Sequence, residues 1–165
     1  MAHARPDPRI GRYCSFANTV RSAPINHPLE ALTTHPALYE KKFGVVDADI
    51  TWDEPLIVED DVWVAHNVVI LPSCKFIGRG AVIGAGAILT KTVERYAVMV
   101  GNPARKIRDR FDPELAAAID ATRWWELDTP NCAGWCSAKA TWSTIRASRP
   151  SRPGAGASRS AASGL

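Results

Sequence analysis

Val58-Glu59-Asp60-Asp61-Val62-Trp63, Val64-Ala65-His66-Asn67-Val68-Val69 and Ile70-Leu71-Pro72-Ser73-Cys74-Lys75 are three successive blocks of six. After one extra residue, Phe76, the pattern resumes as Ile77-Gly78-Arg79-Gly80-Ala81-Val82, Ile83-Gly84-Ala85-Gly86-Ala87-Ile88 and Leu89-Thr90-Lys91-Thr92-Val93-Glu94. Every block opens on an aliphatic residue. Every fifth position is small or β-branched: Val62, Val68, Cys74, Ala81, Ala87 and Val93. A period of six matches neither the 3.6 of an α-helix nor the two of a plain strand. It fits a solenoid of very short strands joined by tight corners, with the aliphatic position turned inward. The glycines, Asn67 and the Asp60-Asp61 pair suit corners that need positive φ or local side-chain hydrogen bonds. The extra Phe76 predicts a bulge or a loop at one corner.

Two further blocks precede these, Ile10-Gly11-Arg12-Tyr13-Cys14-Ser15 and Phe16-Ala17-Asn18-Thr19-Val20-Arg21. Cys14 and Cys74 fall on the small inward position and read as buried apolar thiols. The segment 22–56 interrupts the repeat with Asn26-His27-Pro28, Thr33-Thr34-His35-Pro36 and Trp52. A long insertion in a compact solenoid is usually functional. Beyond the repeat, Gly101-Asn102-Pro103-Ala104-Arg105 forms a turn. Asp112 then reads as an N-cap, with Pro113 in the first helical position. Leu115 and Ile119, four apart, and Trp124-Trp125 predict a short helix folded back on the solenoid. The expected organisation is therefore an unstructured leader 1–9, a repeat body 10–111, a helix 112–127 and a disordered tail 128–165.

The chain has 165 residues, 46% hydrophobic and 22% charged, which excludes wholesale disorder. Its net charge of +3 comes from 20 basic and 17 acidic residues. Arg149, Arg152 and Arg159 lie in the acid-free end 147–165, so removing those three leaves 17 basic against 17 acidic. The rest of the chain is neutral overall, and a nucleic-acid groove has no support in composition. No apolar run is long enough to span a bilayer, and Met1 to Pro8 has no secretory character. Both observations point to the cytoplasm. The four cysteines do not form a disulfide framework, and the lone pair Cys132 and Cys136 lacks the further ligands of a zinc site. Gly84-Ala85-Gly86 is not a dinucleotide fingerprint, because no strand–turn–helix pattern surrounds it.

From Ile10 to Trp125 the sequence resembles the hexapeptide-repeat acyltransferases, in the xenobiotic acetyltransferase branch. The resemblance rests on Ile10–Ser15, Asn26-His27-Pro28, Thr34-His35-Pro36, Val62-Trp63-Val64-Ala65-His66-Asn67, Ile83–Ala87, Gly101–Arg105 and Trp124-Trp125. It implies a left-handed parallel β-helix, acetyl-CoA as co-substrate, no metal, and a site between the subunits of a homotrimer. It also implies transfer of acetyl to a hydroxyl of a small molecule, an antibiotic or a sugar, with His27 as general base. A neutral imidazole, with an ordinary pKa of about 6.5, can take such a proton near neutral pH. The resemblance further gives His66, Ala85, Thr90, Lys91, Arg105 and Arg108 to the coenzyme, the arginines meeting its phosphates. His35 is the rival base, read rather as a loop residue. Family members carry additional repeats ahead of the first block found here, so the chain reads as shortened at its N-terminus.

Two other readings stand beside this one. A non-catalytic solenoid could serve only in assembly. A γ-type carbonic anhydrase uses the same fold with three histidines on zinc; His27, His35 and His66 match the number but not a convincing spacing.

Overall fold

The structure is a computed structural model that describes residues 6–23, 25–50 and 54–129. The chain divides into two units, Met1–Glu126 and Leu127–Leu165; of the second, only Leu127–Thr129 are described. Trp52, Cys132, Cys136 and the tail 130–165 lie outside the described residues, as does the start of the leader.

Nine two-residue strands carry the repeat. They are β1 (Arg9–Ile10), β2 (Ser15–Phe16), β3 (Arg21–Ser22), β4 (Ile57–Val58), β5 (Trp63–Val64), β6 (Val69–Ile70), β7 (Phe76–Ile77), β8 (Val82–Ile83) and β9 (Ile88–Leu89). Successive strands enter three parallel sheets in rotation, β1-β4-β7, β2-β5-β8 and β3-β6-β9. The rotation follows from the register: Ile57 pairs with Phe76, Trp63 with Val82 and Val69 with Ile88, so on this turn each sheet is revisited after nineteen residues. Three blocks of six account for eighteen of these. The nineteenth is absorbed in the corner after Cys74, while Phe76 itself is a regular strand residue paired with Ile57. The corner therefore takes the insertion as a loop, and Lys75 rather than Phe76 is the residue in excess.

The period produces the core directly. The opening positions Val58, Val64, Ile70, Ile77, Ile83 and Leu89 are all fully buried, and so are the fifth positions Val62, Val68, Cys74, Ala81, Ala87 and Val93. A buried aliphatic side chain contributes roughly 1.5–3 kcal/mol, so these columns are the main source of stability. The fourth position turns the corner in the left-handed region: Tyr13, Asp61, Asn67, Gly80 and Gly86 have φ between 57° and 71°. Asp and Asn tolerate that conformation and Gly adopts it freely, while Tyr13 is held there by its neighbours despite its bulk. Gly78 answers a different need. A Cβ there would lie 2.5 Å from the Arg95 backbone nitrogen, so only glycine lets the next turn stack.

The inward columns end at Ile10 and Phe16, 52% and 36% exposed, because no described turn lies over β1 and β2. Cys74 is fully buried, as its position predicts. Cys14 sits in this outermost turn and is only half-buried. Burial pushes the Cys14 thiol pKa up, which keeps it protonated.

At the other end β10 (Ala97–Val100) joins the second sheet beside β8 and pairs antiparallel with β11 (Arg105–Asp109). Helix α1 (Pro113–Thr122) follows, with the Asp112 carboxylate accepting the Leu115 N–H at 2.8 Å. The N-cap and N1 proline stand where the sequence places them. No residue of α1 is fully buried, and Leu115 and Ile119 are half-buried. Polar contacts and an aromatic ring fix this segment instead. Asp120 Oδ1 accepts from Tyr96 Oη at 2.6 Å and from Arg79 Nη1 at 3.0 Å. The Arg79 guanidinium also stacks 3.6 Å over the buried Trp125 ring. Beside them Arg95 forms a two-pronged pair with Glu59, and Glu59 also accepts the Arg79 N–H. No helix among the described residues is long and apolar enough to cross a membrane.

Burial pushes the Asp120 carboxyl up, but the Tyr96 hydroxyl and the Arg79 guanidinium outweigh it and hold the group below its ordinary value. Glu59 is depressed in the same way, burial being outweighed by Arg95 and the Arg79 amide. A folded-state pKa below the unfolded one contributes stability above the ordinary carboxylate range, lost as pH falls through the folded value. Denaturant melts are therefore expected to show constant stability near neutrality and a steady loss below about pH 4. Asp120→Asn should destabilise at pH 7 by about 1–3 kcal/mol and flatten that acid limb. An unchanged limb would mean that the Asp120 cluster does not hold the helix.

Candidate active site

The insertion after β3 is organised around a buried tyrosine. Its 3-10 turn Pro36–Leu38 starts at His35, whose Nδ1 accepts the Ala37 N–H at 3.2 Å. The His35 ring then lies edge-on to Phe43 at 5.3 Å. This employs His35 as a cap and packing group within its own loop. Tyr39 follows the turn and is 2% exposed. Its carbonyl accepts the Ile50 N–H, and the Lys41 N–H is held by Asp49, which closes the segment into a compact lobe.

His27 lies against this lobe. Its Nδ1 stands 2.7 Å from the Thr34 carbonyl oxygen and 2.7 Å from the Tyr39 hydroxyl. A carbonyl oxygen can only accept, so Nδ1 carries the hydrogen and Nε2 keeps its lone pair. The ring lines a cavity of about 400 Å³ with Asn26, Leu29 and Thr34. That volume suits a small organic molecule. Thr34 falls within a motif read from sequence, although the function of its carbonyl is invisible there. Tyr39 has no sequence signal; it would have been found only by knowing how the insertion folds.

His66 occupies the corner between β5 and β6. Thr19 Oγ1 accepts the Asn67 N–H at 2.8 Å and lies 3.2 Å from His66 Nδ1. The Thr19 hydroxyl thus ties the His66 ring to the backbone of the same corner. The Gly86 N–H donates to the His66 carbonyl at 2.9 Å, which stacks the Ala85–Gly86 corner on the His66–Asn67 corner. Thr90 and Lys91 follow β9 directly. The Ala104 N–H donates to the Ile88 carbonyl at 2.8 Å, and so brings the start of β11 to the same end.

Arg105 pairs with Val100, Lys106 with Met99 and Arg108 with Val98. The register shifts between Val98 and Met99, leaving Ile107 as an extra residue. Residues 105 and 108 would point to opposite faces of a regular strand. The bulge puts both on the face that Val98 and Val100 occupy. Lys106 is paired with Glu94 and Asp109. Arg105 and Arg108 donate only to neighbouring carbonyls, of Ala104 and Asp109, and Lys91 has no ion-pair partner among the described residues. Among the described residues these three positive charges have no acidic partner, a setting that fits a phosphate-bearing ligand. No hydrogen bond joins His27 to His66 or to the coenzyme candidates among the described residues. Nor do these residues contain a cluster of three His, Cys, Asp or Glu side chains able to hold a metal ion.

No family model matches the chain. It is, however, 32% identical over 123 residues to a probable macrolide acetyltransferase of Lysinibacillus sphaericus, covering 70% of this chain and 67% of that protein. It is 40% identical over 122 residues to a chloramphenicol acetyltransferase of Morganella morganii, covering 70% of this chain and 58% of the relative. In fold it is similar to a mutant of AntD, an N-acyltransferase from Bacillus cereus solved with dTDP and coenzyme A, with a TM-score of 0.50 and 17% identity over 71% of this chain and 60% of that one. The chain belongs to the hexapeptide-repeat acyltransferases, in the xenobiotic acetyltransferase branch. It spans about three fifths of the length of the chloramphenicol acetyltransferases it matches.

Proposed function

We propose that the protein is a cytoplasmic, acetyl-CoA-dependent O-acetyltransferase acting on a small-molecule hydroxyl, with His27 as general base. The observation that carries this reading is the Nδ1–H···O=C contact to Thr34, which leaves Nε2 of His27 as a free acceptor in a cavity of small-molecule size. Nε2 takes the acceptor's hydroxyl proton, so the oxygen can attack an activated carbonyl without a covalent enzyme intermediate. Bound acetyl-CoA supplies that carbonyl as a thioester. Lys91, Arg105 and Arg108 would hold its phosphates. Ala85, Thr90 and the His66 imidazole would line the path of its arm. The likeness to enzymes named for chloramphenicol and macrolides, with the exposed Leu29 beside His27, favours an acceptor with an apolar body.

The same reading makes the three sheets the faces of a left-handed parallel β-helix, an exception to right-handed crossover connections. It also makes the active unit a homotrimer with the site between subunits. Leu29, Leu32 and Val45, exposed on the insertion, suit burial against a neighbouring subunit.

Thiol release from acetyl-CoA, measured across a panel of antibiotics, sugars and polysaccharides with a native mass, tests the proposal. His27→Ala is expected to lower turnover by at least about 100-fold while leaving acetyl-CoA binding nearly intact. Equal turnover of variant and parent would refute the base. Arg105→Ala together with Arg108→Ala should raise KM for acetyl-CoA by about tenfold with kcat little changed. Added salt should weaken the parent more than this variant. A KM indifferent to both arginines would remove them from the coenzyme site.

A further inference from the structure

We propose that Tyr39 is a positioning residue for His27, a function that rests on the reading of His27 as general base. Tyr39 is buried, 2% exposed, and it is fixed from both sides along the backbone. The Tyr39 N–H donates to the Pro36 carbonyl at 3.0 Å and its own carbonyl accepts from Ile50 at 3.0 Å. The ring meets the imidazole edge-on, centroids 5.6 Å apart and planes at 81°.

Two oxygens thus stand 2.7 Å from one ring nitrogen, the Thr34 carbonyl and the Tyr39 hydroxyl. The carbonyl fixes the tautomer. The phenol does something else: a single hydrogen bond would let the imidazole pivot about the Nδ1–O axis. A second anchor from a rigid, buried group, together with the edge contact, fixes the plane of the ring and hence the direction of Nε2. The Tyr39 oxygen shares the Nδ1 hydrogen as a second acceptor. When Nε2 takes the acceptor's proton, the ring becomes a cation, and a hydrogen bond from a charged donor is stronger than one from a neutral donor. The contact therefore strengthens as the proton moves, which lowers the barrier rather than merely tightening binding.

Tyr39→Phe keeps the ring and removes only the oxygen. The expected result is a fall in kcat of about tenfold, with KM for acetyl-CoA and the melting temperature unchanged. 3-Fluorotyrosine at position 39, assayed below its phenol pKa so that the hydroxyl stays neutral, is a weaker acceptor of nearly the same shape; it should give an intermediate loss and covers the case in which the phenylalanine variant folds poorly. An unchanged kcat in both variants would overturn the proposal, as would a loss that appears equally in KM and thermal stability. A second measurement is independent of turnover. In protein labelled with ¹⁵N-histidine, with His27 assigned from His27→Gln, its Nδ1 resonance should move on Tyr39→Phe while the other histidines stay. A stationary Nδ1 resonance would refute the contact whatever the activity. A parent without turnover but with a shifting resonance would instead count against acetyl transfer and leave the Tyr39 contact standing.

Discussion

The return of the chain to the same three sheets, nineteen residues on from β4, β5 and β6, is the constraint on which the rest depends. Ile57, Trp63 and Val69 find Phe76, Val82 and Ile88 as ladder partners only at that interval. A slip of one residue would turn Val64, Ile83 and their column mates outward and place Trp63 and Val82 in the core. Strands of two residues have almost no stability of their own, so each turn depends on the ladder to the next and on the apolar columns that run through all of them. The left-handed φ at Asp61, Asn67, Gly80 and Gly86 turns the corners between these strands.

Against that regular body the insertion stands out as a surplus of known size. From β1 to β4 the register advances 48 residues, Arg9 to Ile57, where 19 would close a turn; 29 residues are thus free to form something else. All three ladders, Arg9 to Ile57, Ser15 to Trp63 and Arg21 to Val69, advance by the same 48. The surplus therefore lies wholly after β3 and leaves the coil undisturbed. Such a segment can carry chemistry without disturbing the fold, which is the usual division of labour between loops and scaffold.

What the sequence disclosed follows the same division. The columns Val58, Val64, Ile70 and Ile77, Ile83, Leu89 were legible because burial demands aliphatic residues at a fixed period, and the period is printed in the residues themselves. Asp112 and Pro113 were legible because capping is local. The docking of α1 was not: Leu115 and Ile119 suggested an apolar stripe, while Asp120, Tyr96 and Arg79 do the holding, across 24 and 41 residues of chain. The bulge on β11 was equally hidden, since nothing in Arg105 to Asp109 announces that Ile107 is skipped in the ladder. Contacts of this kind depend on where distant segments arrive, and one sequence does not state that.

His27 sits in the insertion, whereas His66, Ala85, Thr90, Lys91, Arg105 and Arg108 belong to the coil and its end hairpin. Chemistry between the two sets demands that the insertion be fixed to the coil. Its two ends supply the fixing. At the start, the Ala23 N–H donates to the Ile70 carbonyl at 2.9 Å. At the close, Leu56 is fully buried in the core and its carbonyl accepts the Arg9 N–H at 2.9 Å. Three residues separate Ala23 from His27, so the imidazole is tethered closely on that side. Its internal bracing comes from Thr34 and Tyr39 on the other. The imidazole is therefore positioned by two independent restraints, a short tether to the coil and a clamp within the loop. Such double restraint is what a group needs when it must meet a ligand held by a different part of the molecule.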